Sequence, residues 1–267
     1  MSNVRFKEQV ENKKDLFIPF ITAGDPHPDV TIDLALALQE GGADVLELGI
    51  PYSDPLADGP VIQRSAKRAL QHGMTIEKAI ALVSRMRERG LTIPLVIFTY
   101  YNPLLQLGIE RFFELAHEHQ IDGLLVPDLP YEESQELAKQ CREQEVAYIS
   151  LVAPTSNQRI AMIAKEAQGF LYCVSSLGVT GVRDTFDPRV YDFLSLVKEN
   201  SPVPVAVGFG ISKRDQVEAL ANHCDGVIVG SAIIKMVEQL ESQLIDEKFR
   251  DEALSEIKRF VVSLISS

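Results

Sequence analysis

Eight short apolar runs, continuous rather than alternating, constrain the possible folds more than any other feature of this 267-residue chain. They lie at 16–22 (LFIPFIT), 44–48 (DVLEL), 93–99 (IPLVIFT), 123–126 (GLLV), 146–151 (VAYISL), 170–174 (FLYCV), 203–207 (VPVAV) and 226–229 (GVIV). Unbroken runs of this length are expected of strands covered by helices on both faces. Most are followed by a Gly/Pro/Asp cluster and then by helical periodicity, at 30–39, 110–119, 132–144, 159–167, 190–198 and 215–221. Helix 30–39 places Ile32, Leu36 and Leu38 on its apolar stripe and stops at Gly41-Gly42, a helix C-terminal signal. The longer interval after the second run holds two helices, 61–71 and 76–89; another, 5–12, precedes the first run, and 251–265 closes the chain. Eight β–α units in about 250 residues predict a (βα)8 TIM barrel with extra N-terminal and inserted helices. An open doubly wound sheet also alternates strand and helix and is the alternative, but the strand count favours the barrel. No linker or composition shift divides the chain, so 1–267 reads as a single domain.

Charge and cysteine usage narrow the function. With 26 Lys+Arg against 38 Asp+Glu, the net charge of −12 offers nothing to a nucleic-acid backbone, although backbone N–H groups still provide for a local phosphate site. Cys141, Cys173 and Cys224 are odd in number and widely spaced, which predicts neither disulfide framework nor zinc knuckle. The charged N-terminus lacks the apolar core of a signal peptide, and no run approaches the ~18 apolar residues of a membrane span. These features predict a cytoplasmic protein with no membrane partner.

In a barrel of this kind the loops after the strands form the active face. Glu47 is a carboxylate inside an apolar strand, flanked by Leu46 and Leu48, so alternation turns it the other way, into the barrel mouth. Desolvation there raises a carboxyl pKa and suits it to proton transfer; a buried ion pair is the competing reading. Asp58, eleven residues later, returns to the same mouth. Glycine-bearing loops follow the last three strands at 176–181 (SLGVTG), 208–212 (GFGIS) and 230–231 (GS), where barrel enzymes often hold phosphate. GFGISK lacks the third glycine of a dinucleotide fingerprint. P-loop, GxSxG and HExxH patterns are absent, and His117 and His119, two apart on a helix, face different ways. No metal site is expected. His27, His72 and His223 fall at turns or element ends and are expected in solvent, while Cys173 and Cys224 read as small core hydrophobes.

The stretches PFITAGDP (19–26), LELGIPYSDPLADGPVIQ (46–63), LGVTG (177–181), GFGIS (208–212) and GSAI (230–233) together resemble the tryptophan synthase alpha subunit family, in order and over nearly the whole chain. The resemblance implies retro-aldol cleavage of indole-3-glycerol phosphate to indole and glyceraldehyde 3-phosphate, without a cofactor. It implies Glu47 as the acid/base at indole C3 and the glycerol hydroxyl, and Asp58 as the carboxylate on the indole N–H. Tyr172 would orient Glu47; Phe20, Phe98, Tyr100, Leu125 and Phe209 would form the indole slot. Gly181, Gly210, Gly230 and Ser231 would hold phosphate, and Thr180 would sit in a closing loop and touch Asp58. An α2β2 complex is implied, with pyridoxal phosphate on the beta subunit only and contact through Asp54, Pro55, Asn102-Pro103 and the Pro130 region. A different barrel enzyme on an indole or sugar phosphate, such as indole-3-glycerol-phosphate synthase, generally needs a lysine on a strand, and no predicted strand has one. A non-catalytic paralogue that only activates a beta subunit would not need Glu47 and Asp58.

Overall fold

The structure, a computed structural model, describes residues 2–174, 188–208 and 210–265. Its strands are β1 (Leu16–Thr22), β2 (Leu46–Gly49), β3 (Leu95–Phe98), β4 (Gly123–Leu125), β5 (Ala147–Tyr148), β6 (Leu151–Val152), β7 (Leu171–Val174), β8 (Val205–Gly208) and β9 (Gly226–Val229). Every pairing is parallel, and the spatial order is β5-β4-β3-β2-β1-β9-β8-β7-β6. The fifth apolar run is thus split into β5 and β6. Between them the Ile149 N–H donates to the Leu124 carbonyl (2.9 Å), while the Ser150 carbonyl accepts from the Tyr172 N–H (3.0 Å). One short segment faces both neighbours and closes the ring. The eight runs therefore build the expected TIM barrel, not the open sheet.

Alternation sorts the strand residues into two cores. Phe17, Ile21, Leu46 and Leu48 join the large cluster between strands and surrounding helices, whereas Leu16, Ile18, Val45, Val96, Leu125, Ala206 and Ile228 pack inside the barrel. Phe6 and Val10, from the helix Ser2–Gln9 and the turn after it, belong to the inner cluster, with the Phe6 ring 6.4 Å from that of Phe170. Arg5 donates to Asp122 (2.9 Å), which also accepts from Arg87 (2.6 Å) and from the Leu95 N–H at the start of β3 (2.9 Å). The N-terminal end of the barrel is plugged by apolar rings and locked by an ion cluster. Burial pulls the Arg87 guanidinium down to about 10 and pushes the Asp122 carboxyl up; the two oppose this through their attraction.

Several elements differ from the sequence reading. The first helix, Ser2–Gln9, runs three residues earlier at each end than the expected 5–12. Helix Pro28–Glu40 buries Val30, Thr31, Ile32, Leu34, Ala35 and Leu38, leaving Leu36 only partly buried, so its stripe is broader and rotated from the one predicted. Three helices were not anticipated: Tyr101–Leu107, Ser231–Gln239 and Glu241–Ile245. The first is short, uncapped by any side chain and carries a Pro in its opening turn. The second follows β9 so closely that GVIVGSAII reads as one apolar run. All three cysteines are free and buried, with burial pushing their thiols up, in keeping with packing roles. His223 stacks on Tyr191 (4.4 Å between centroids), and His27 meets His72 edge-to-face at 5.3 Å, so these rings are partnered rather than simply solvated.

Candidate active site

Glu47 occupies the middle of β2, level with Phe20 of β1 and Val96 of β3. It is fully buried, and neither carboxyl oxygen has a hydrogen-bond partner among the described residues. Its neighbours Leu46 and Leu48 point outward into the helix layer, so Glu47 points inward, as alternation requires. No cation among the described residues compensates it. Desolvation alone pushes its carboxyl up to about 8, which leaves it protonated at neutral pH. Among the described residues no ion pair forms at Glu47.

The wall around it is aromatic. The Phe20 and Phe98 rings meet edge-to-face at 5.3 Å, and Leu125 lies beside Phe98 in the inner layer. Two glycines make room for these rings. A Cβ on Gly49 would lie 2.4 Å from the Phe20 ring, and one on Gly208 would lie 2.5 Å from the Tyr172 hydroxyl. Tyr172 is reached by the fields of both Glu47 and Asp58, which, after burial, push its hydroxyl pKa higher. β2, β7 and the Asp58 loop thus converge on one point.

Asp58 lies between β2 and helix Pro60–Gln71, half-buried, its carboxyl pushed up by burial and pulled back by a hydrogen bond with Tyr100. The Tyr100 hydroxyl also accepts from the Ala57 N–H (3.0 Å) and its ring packs against Tyr52 at 5.4 Å. Tyr100 is thus a support for the Asp58 loop as well as a wall. The helix that follows is bolted down: Arg68 donates to both oxygens of the buried Asp25 (2.7 and 3.0 Å), Ser65 adds a third bond at 2.7 Å, and Arg64 and Arg68 share Glu238. These two arginines hold the Glu238 carboxyl down to about 2. Glu238 belongs to helix Ser231–Gln239, so these ion pairs join the helix that follows Asp58 to the helix after β9.

That helix begins at Gly230 and Ser231 with no side chain capping it, which leaves its first N–H groups available to an anion. The helix after β8 is different, because Gln216 already accepts from the N–H groups of Ser212 (2.8 Å) and Lys213 (3.0 Å). Gly210, between β8 and that helix, has φ +71° and open space where a side chain would project. Thr180, Gly181 and Phe209 lie outside the described residues.

The expected partner contacts gather at the same rim. Asp54 and Asn102 line a groove of about 540 Å³ with Tyr52, Pro103 and Glu77; Asn102 donates to the Tyr52 hydroxyl (3.0 Å), and Pro55 continues from Asp54. Pro130 is exposed at the start of helix Tyr131–Glu143, and Asp128, two residues earlier, accepts from the Tyr101 N–H (2.9 Å) to join the β3 and β4 loops. Leu56, in the Asp58 loop, is 87% exposed.

Thr22 was not singled out from sequence. It shares the inward face of β1 with Ile18 and Phe20, is 2% exposed, and its hydroxyl has no partner among the described residues. Its signal was a hydroxyl with the parity of Phe20 in an otherwise apolar strand. The described strands carry no lysine, and among the described residues no group of His, Cys, Asp and Glu is placed to hold a metal ion.

The sequence profile of the tryptophan synthase alpha chain matches residues 6–261. The chain belongs to the tryptophan synthase alpha chain family. It is 63% identical over 263 residues to the alpha chain of Halalkalibacterium halodurans, covering 98% of this chain and 99% of that one. To the Bacillus subtilis (strain 168) alpha chain it is 57% identical over 258 residues, covering 97% of each. Among solved structures, the α2β2 tryptophan synthase complex of Pyrococcus furiosus superposes with a TM-score of 0.85 at 38% identity, over 96% of this chain and 99% of that chain. The alpha chain of Legionella pneumophila subsp. pneumophila gives 0.83 at 33%, over 98% and 94%. These tryptophan synthase alpha chains share the barrel fold of this chain.

Proposed function

We infer that this chain is a carbon–carbon lyase that cleaves indole-3-glycerol phosphate to indole and glyceraldehyde 3-phosphate, as the alpha subunit of a tryptophan synthase. The observation that carries the reading is Glu47: a carboxyl buried without partner, protonated at neutral pH, and set in an aromatic slot.

The chemistry follows from these groups. Neutral Glu47 gives its proton to indole C3, which turns the ring into an iminium cation. Asp58, as a carboxylate on the ring N–H, stabilises that charge. The bond from C3 to the glycerol chain then breaks, its electron pair restoring the indole. The glycerol hydroxyl on the departing carbon becomes the aldehyde and returns its proton to Glu47, so the proton ledger closes. Phe20, Phe98, Tyr100, Leu125 and Phe209 hold the ring, with Tyr172 beside Glu47. The helix at Gly230 and Ser231, with Gly210 and Gly181, takes the phosphate. Thr180 closes over the substrate. Because the indole ring is itself the electron sink, the reaction calls on no cofactor from this chain; pyridoxal phosphate belongs to the beta subunit.

The α2β2 assembly of the Pyrococcus furiosus relative supports a beta-subunit partner, seated on Asp54, Pro55, Asn102 and Pro130, which receives the indole for L-tryptophan synthesis. The whole chain acts as one domain in the cytoplasm; no helix among the described residues is long and apolar enough to cross a membrane. Incubating the purified chain with indole-3-glycerol phosphate tests the reading. Equimolar indole and glyceraldehyde 3-phosphate are expected, and the absence of both, alone and with a beta subunit, would overturn it.

A further inference from the structure

Four buried side-chain polar atoms lack a hydrogen-bond partner among the described residues, and three of them are in the same mouth: both carboxyl oxygens of Glu47 and the hydroxyl oxygen of Thr22. An unpaired buried hydroxyl is costly, and valine would fill the same space in a strand without that penalty. A group kept in this condition is waiting for a partner that arrives with a ligand. Glu47 has such a partner in the proposed reaction. Thr22 has none assigned.

Its place in the sheet says what that partner is. β1 lies between β2, which carries Glu47, and β9, which leads into Gly230 and Ser231. Phe20 is level with Glu47, and Thr22, one pleat nearer the mouth, is level with Gly49. Gly49 has no side chain to cover the hydroxyl. A ligand with its ring beside Glu47 and its phosphate at the helix N-terminus after β9 must cross the end of β1. The part that crosses is the three-carbon chain, and that chain carries hydroxyls.

We propose that the Thr22 hydroxyl binds a hydroxyl of the substrate's glycerol chain, fixing the chain between the indole slot and the phosphate site. The inference rests on the lyase reading above and adds to it a residue that senses the hydroxylated linker, not the ring or the phosphate. It makes Thr22 a specificity determinant: ligands with the same ring and phosphate but a bare propyl chain gain nothing from it.

The test is a comparison of two ligands on the full chain. Thr22→Val should lower kcat/KM for indole-3-glycerol phosphate roughly tenfold, the loss of one hydrogen bond at an otherwise unpaired site. Inhibition of the same variant by indole-3-propanol phosphate, which keeps ring and phosphate and lacks the chain hydroxyls, should stay within about twofold of wild type. Thr22→Ser, which retains the hydroxyl, should recover most of the lost kcat/KM. Equal weakening of both ligands would show that Thr22 acts through packing, and unchanged kcat/KM in Thr22→Val would show that the hydroxyl meets nothing; either result overturns the proposal. So would a shifted alkaline limb of the pH profile with binding of both ligands intact, since Thr22 would then act on Glu47. If wild-type chain cleaves no indole-3-glycerol phosphate at all, the lyase reading itself fails and this inference falls with it.

Discussion

Replacing Glu47 by Gln should make the protein's stability less sensitive to pH while removing its activity. Unfolded, the Glu47 carboxyl ionises at its ordinary value of 4.5; folded, it keeps its proton up to about 8. Between those values the native state holds one more proton than the unfolded state, so stability falls as pH rises. The contribution is fully present below about pH 4.5 and is lost by the time pH has passed about 8. The span is about 3.5 pH units at about 1.36 kcal/mol each, hence roughly 5 kcal/mol as an upper figure. Gln does not titrate, and whatever its amide costs in that site is the same at every pH. The difference in unfolding free energy between wild type and Glu47→Gln should therefore slope against wild type by several kcal/mol from about pH 5 to pH 8, then flatten. Urea titrations followed by far-UV circular dichroism suit the measurement, because the chain has no Trp to report by fluorescence. At neutral pH the same variant should lose lyase activity by ~10²–10⁴-fold, the usual contribution of a general acid. Stability curves that stay parallel across the range would refute the buried, protonated carboxyl. Activity within a few-fold of wild type would remove Glu47 from the mechanism.

Other substitutions probe other parts of the site. Gly210→Val should raise KM for indole-3-glycerol phosphate at least several-fold, since its φ of +71° strains any side chain and the added atoms project into open space at the phosphate end; unchanged KM would move the phosphate elsewhere. Asp54→Ala should weaken activation by a beta subunit more than it weakens the basal rate, as read by titrating the partner into a lyase assay; equal losses would make Asp54 a support of the active site. Asp122→Ala leaves Arg87 buried beside a lost partner and should cost about 3–5 kcal/mol in a urea titration without changing KM; a cost under 1 kcal/mol would show that the ion cluster does not lock the barrel floor.

The barrel was legible because its signals are local. Continuous apolar runs such as LFIPFIT and IPLVIFT report burial on both faces, and Gly41-Gly42 reports a helix end. Glu47 was legible for the same reason: a carboxylate in LEL has to turn inward. What escaped was the set of features fixed by neighbours distant in sequence. Helix Ser231–Gln239 follows β9 without a polar break, and only the closed ring decides where strand ends and helix begins. The Arg68–Asp25–Glu238 linkage joins residues far apart in the chain, and no spacing rule signals it. Thr22 has a signal, its parity with Phe20, but a hydroxyl in a strand has meaning only once its lack of a partner is known. The fifth apolar run gave no hint of its split into β5 and β6.

The plug formed by Phe6, Val10 and Phe170 makes the barrel a vessel with a sealed base. Among the described residues this plug closes that end of the barrel, so the open approach to Glu47 is from the lip. The loops that would meet a second subunit, around Asp54, Asn102 and Pro130, are built on that same lip. A partner seated there would stand over the open mouth above Glu47, and indole released into that mouth would meet the partner before bulk water.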